Sequence, residues 1–164
     1  MTKTIAWIFL TTLGAILLWA SFYHPYYISD SGNAFFRDFV NQELLSVMGV
    51  VVTITLASAA NLHLEINKLQ DEIEEDFAEA RRAIRLSAYS LIAAFIAAGA
   101  LVMVKPTASA SETTTAIINS GAILILVFSI ALLADLTAAV FDIPPLKELR
   151  KRQTESAITK DGTG

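Results

Sequence analysis

The sequence predicts an all-α integral membrane protein: four transmembrane helices, with a helical cytoplasmic hairpin between the second and third spans. Three observations carry that expectation. The 164-residue chain is 54% apolar and only 17% charged, with a mean hydropathy of +0.55, against about 25% charged residues in an ordinary soluble domain. The apolar residues are gathered into four uncharged runs, each long enough for the roughly 20 helical residues that cross a bilayer core of about 30 Å. The basic residues are shared unevenly among the connections between those runs. No run alternates apolar and polar residues as a barrel strand does.

The first run, Thr4 to Ser29, is interrupted only by His24. It reads as a span over about 4–23, not a cleaved signal peptide. Its charged start is a single Lys3, it exceeds the usual 7–15 apolar residues, and Leu18-Trp19-Ala20 is a poor cleavage site. His24-Pro25 stops the helix, and Asp30-Ser31-Gly32-Asn33 is a turn signal. Trp19, Phe22, Tyr23, Tyr26, Tyr27, Phe35, Phe36 and Phe39 crowd this region, as aromatic rings do at the headgroup level.

The second span is expected over 42–64 with its helix extending to about 70, the third over 86–104 and the fourth over 114–141. Arg37 is the basic residue of the first connection and Lys105 that of the third. Lys68, Arg81, Arg82 and Arg85 lie in the second, Lys147, Arg150, Lys151, Arg152 and Lys160 in the tail, and Lys3 at the start. Since the side richer in short-loop Lys and Arg stays inside, both termini are expected to be cytoplasmic, in a multi-pass protein of the inner (plasma) membrane. Residues 1–143 then form the transmembrane domain and 144–164 a basic cytoplasmic tail.

Residues 65–85 form the expected hairpin. Leu62, Ile66, Leu69, Ile73, Phe77, Ala80 and Ile84 recur at steps of 4, 3, 4, 4, 3 and 4, a helical stripe of about 3.67 residues per turn. Asp71, Glu72, Glu74, Glu75 and Asp76 crowd its middle, and Arg81, Arg82 and Arg85 follow. Carboxylates avoid an anionic leaflet and guanidinium groups seek it, so the acids belong at a tip away from lipid and the third helix begins near Glu75. That tip is the expected docking surface for a soluble cytosolic partner.

Within the spans, helices associate through small residues and interhelical hydrogen bonds. Gly49, Thr53 and Ala57, continued by Asn61, form a four-residue repeat suited to helix packing or to lining a pore between copies. Ionisable groups at membrane depth are costly and paired or functional. Asp135 and His63 lie near the inner boundary, with Arg85 at the same level. The expected arrangement is an intramembrane polar pair or gate: Asp135 with Arg85, or less favourably with His63. After Asp142-Ile143-Pro144-Pro145, Lys147, Arg150, Lys151 and Arg152 are expected to bind lipid headgroups.

The chemistry excluded is broad. Cysteine is absent, so no disulfide, thiolate metal site or cysteine nucleophile forms. No phosphate-binding loop, dinucleotide fingerprint, zinc-protease motif or nucleophile elbow occurs. No catalytic residue, cofactor, metal or nucleic-acid partner is expected. The expected function is a homo-oligomeric inner-membrane anchor that docks a soluble partner, by architecture the membrane component of a bacterial defence or signalling complex. The alternative is a homo-oligomeric ion channel or pore.

Overall fold

The computed structural model describes residues 3–73, 78–108 and 111–141. It is all-helical, with no strand among the described residues, and four of its helices are long and apolar enough to cross a membrane. Helix α1 runs Lys3–Tyr23. His24-Pro25 closes it: the His24 amide bonds Ala20 O at 2.8 Å, and Pro25–Tyr27 continues as one 3-10 turn. Gly32 sits where a Cβ would run into the Tyr26 carbonyl, so only glycine lets the chain fold back this closely.

Asn33 then caps a short helix, α2 (Ala34–Asp38), its side-chain oxygen accepting from the Phe35 amide at 3.0 Å. A π turn over Phe39–Glu43 follows, broken at Val40 (φ −80°, ψ 64°) and Asn41 (φ −153°, ψ −143°). Helix α3 runs Leu44–Ile73, α4 Ala78–Ala108 and α5 Glu112–Phe141. The second apolar segment thus starts at Ala34, before the expected residue 42. The Asx cap turns what reads as loop into helix. Helix α3 passes the expected end near 70, and α4 begins eight residues ahead of its apolar run.

Helix α5 is the centre of the packing. It lies against α1, α3 and α4, while α3 and α4 also pack on each other and α1 packs chiefly on α5. Within the apolar spans, 33% of α5 but only 6% of α1 is buried, which places α1 at the periphery. The main core joins Val40, Leu44 and Met48 to Ala94, Ala98 and Ala122, with Phe36, Phe39 and Phe95 around them. The alanines of α4 and α5 keep those helices close. A second core, near the far ends of α3 and α5, joins Ala59, Leu62, Ile66, Ile84 and Leu136. Most remaining apolar surface points outward, including Trp7, Phe9, Ile54, Ile96 and Met103. A water-soluble monomer rarely exposes so much.

The outward set includes the expected small-residue repeat on α3. Thr53, Ala57 and Asn61 are exposed, and nothing lies within 4 Å of a Cβ built on Gly49. Packing inside the subunit uses the opposite face of α3, through Leu44, Met48, Thr55, Ala59, Leu62 and Ile66. Among the described residues, the Gly49 repeat therefore lies outside the buried contacts between the helices.

Candidate functional site

Polar groups collect at the two ends of the bundle. At one end the loop between α1 and α2 folds over the end of α4 and the start of α5. Lys105 is buried there at 7% exposure, its ammonium 3.0 Å from Asp30 Oδ1 and donating to Phe36 O at 3.0 Å. Asn119, fully buried, donates through Nδ2 to Ile28 O at 2.7 Å and to Asp30 Oδ1 at 3.0 Å. Both neighbours are acceptors, which orients the amide, and Asn119 Oδ1 is enclosed without a donor. Ser21 Oγ and Ser120 Oγ, both buried, share a 2.8 Å hydrogen bond that ties α1 to α5. At the rim Ser31 Oγ donates to Glu112 Oε1 at 2.8 Å.

This end is a clamp. The Lys105 ammonium is neutralised by Asp30 and held by a backbone carbonyl. A buried charge with its counter-charge and hydrogen bonds satisfied fixes geometry. From sequence alone Lys105 reads as an ordinary loop charge, so the clamp is not foreseen. The available signal was a single lysine wedged between Val104 and Pro106, with an Asn-Ser pair early in the following span.

The opposite end is more open. Leu62 and Ile66 of α3, Ala80, Ala83, Ile84 and Ser87 of α4, and Asp135 and Leu136 of α5 line a notch of about 110 Å³. The residues lining it are apolar except for Ser87 and Asp135. The expected Asp135–Arg85 pair is not formed: both side chains are exposed, and neither makes an ion pair with any described residue. The reason is angular. Residues 80, 83, 84 and 87 share the face of α4 that lines the notch, and at 3.6 residues per turn Arg85 points roughly 150° away from it. His63 does not pair with Asp135 either. Its Nδ1 is enclosed with no partner, and His63 is not among the residues lining the notch. Beyond the notch, Arg81 donates to Gln70 between α4 and α3.

Among the other expected positions, Asn61 is exposed on α3. Asp71 and Glu72 belong to the last turn of α3, and their side chains lie outside the described residues, as do Glu74, Glu75 and Asp76 entirely. Lys147, Arg150, Lys151 and Arg152 are likewise outside them. Among the described residues no group of three His, Asp or Glu side chains is placed to hold a metal ion. Compared with protein-family models, with curated proteins and with solved structures, the chain matches none.

Proposed function

We propose that the chain is a four-span, homo-oligomeric anchor of the inner membrane, with both termini cytoplasmic, that docks a soluble partner on the extension formed by α3 and α4. The observation supporting this reading is the length of those two helices beyond their apolar runs. The uncharged run of α3 ends at Leu64 and the helix at Ile73; α4 begins at Ala78 and its uncharged run at Leu86. At about 1.5 Å per residue the two extensions project roughly 12–14 Å. They are joined by buried Leu62, Ile66 and Ile84 and by the Arg81–Gln70 hydrogen bond. A pair of helices seamed this way holds its far end at a fixed place, and the backbone of Asp71 and Glu72 belongs to the last turn of α3 at that end. Opposite it, the Lys105 clamp closes the bundle.

The test is a pull-down in mild detergent. The combined variant Asp71→Asn, Glu72→Gln, Glu74→Gln, Glu75→Gln and Asp76→Asn is expected to insert and assemble normally and to lose its cytosolic partner. The wild-type association is expected to weaken with salt. Association that survives both the substitutions and high salt refutes the docking reading.

One observation favours a channel instead. The polar groups of Thr53 and Asn61 lie on the outward face of α3 within its span, where a ring of copies would bring them to a shared axis. Ion flux in liposomes that Thr53→Val abolishes would support that reading.

A further inference from the structure

We propose that the notch at the Asp135 end receives a primary ammonium on a short apolar stem, namely a lysine side chain presented by the soluble partner. The proposal rests on the docking reading above and adds the chemistry of one contact. The notch lies between α3, α4 and α5, at the base of the α3–α4 extension. Leu62, Ile66, Ala83, Ile84 and Leu136 line it, with Ser87 and Asp135 among the lining residues.

A lysine matches each part of this site. Its methylene stem buries against apolar walls while its charged head seeks a polar group. The head carries three donors and no acceptor, suited to the Asp135 carboxylate and the Ser87 hydroxyl together. The volume, about 110 Å³, has room for several water-sized groups and suits a linear stem better than a broad planar guanidinium.

The charges nearby leave Asp135 available. On α4, Arg85 points away and Arg81 is engaged with Gln70. On α3, His63 does not line the notch. Asp135 makes no ion pair or hydrogen bond with any described residue. Asp71 and Glu72, in the last turn of the same α3, add charge of the same sign, which draws a cationic surface toward this end.

The probe is n-butylammonium chloride, added to the full-length protein in detergent and followed by thermal shift and saturation-transfer NMR. Two controls separate stem from charge: n-butanol, with the stem alone, and ammonium chloride, with the charge alone. Saturable stabilisation by n-butylammonium, at least about tenfold weaker for both controls, is the expected result: n-butanol forfeits a charge-assisted hydrogen bond worth about that factor, and ammonium forfeits the burial of the apolar stem. Asp135→Asn should weaken binding by about the same factor, and Ala83→Leu, which fills the notch while keeping the charge, should abolish it. Equal binding of n-butanol, no saturable shift, or binding indifferent to both substitutions overturns the proposal. Should Asp135→Asn fail to fold, Ala83→Leu and the two wild-type controls still decide. If the probe fails while the acidic-tip variant still loses its partner, the notch proposal falls and the docking reading stands. If the probe binds but partner association ignores Asp135→Asn, the lysine is refuted as the occupant.

Discussion

Among the residues, Lys105 carries the clearest consequence. A buried ammonium that loses its counter-charge, or the reverse, is expensive because the remaining charge has neither water nor partner. Asp30 keeps 28% side-chain exposure, which moderates the loss. Lys105→Met should therefore lower stability by about 2 kcal/mol. Adding Asp30→Asn should recover part of that, and thermal unfolding of the single and double variants in detergent measures the coupling. Strictly additive losses would mean the pair contributes no interaction energy. Gly32→Ala is expected to cost about 2 kcal/mol, because the new methyl group meets the Tyr26 carbonyl. An unchanged melting temperature would show that the loop accommodates it. Asp135 and Arg85 illustrate what sequence reveals at this scale. Counting residues places both at the same depth, and the structure does put them at one end of the bundle. Depth follows from the rise per residue. Whether two side chains meet depends also on the rotation per residue, and on which face each helix turns to its neighbour.

The existence of the long helices was legible because uncharged length alone specifies a spanning element. Their buried faces were not, since a helix that is apolar all round carries no stripe to read. Helix α5 has no such stripe and proves central; α1 is as apolar and proves peripheral. The short α2 and the π turn were missed because Asn33 is equally good as a turn residue and as a helix cap. The α3–α4 extension was legible in part: Leu62, Ile66 and Ile84 of the predicted stripe are buried together. The clamp of Asp30, Lys105 and Asn119 was not, because it joins three segments far apart in sequence. The outward Gly49 repeat yields a test at this scale. Gly49→Leu with Ala57→Leu should change subunit stability by no more than about 0.5 kcal/mol, as for surface positions. It should reduce the assembled mass measured by light scattering in detergent. Ala98→Leu, in the core between α4 and its neighbours, should instead cost about 1–3 kcal/mol by overpacking. An unchanged mass in the first variant would remove the repeat as a contact between copies.

For the whole molecule, the proposed threading is checked by reporter fusions. Fusions after Lys68 and after Gly164 should read as cytoplasmic and one after Asn33 as external, with the reverse pattern refuting it. The packing order also bears on how the chain is made. Helix α1 emerges from the ribosome first, yet its principal neighbour, α5, is the last helix of the five, and the Ser21–Ser120 bond spans 99 residues. In the proposed membrane threading, the first segment therefore waits in lipid, nearly unattached, while α3 and α4 are synthesised and fold against each other. Contacts this distant in sequence form late and slowly. A Ser21→Cys, Ser120→Cys variant provides a clock for that wait, in a chain otherwise free of cysteine. Oxidative crosslinking should appear only after α5 has been released into the membrane. Any chaperone or insertase that guards this protein during synthesis has α1 to hold, for as long as the rest of the chain takes to arrive.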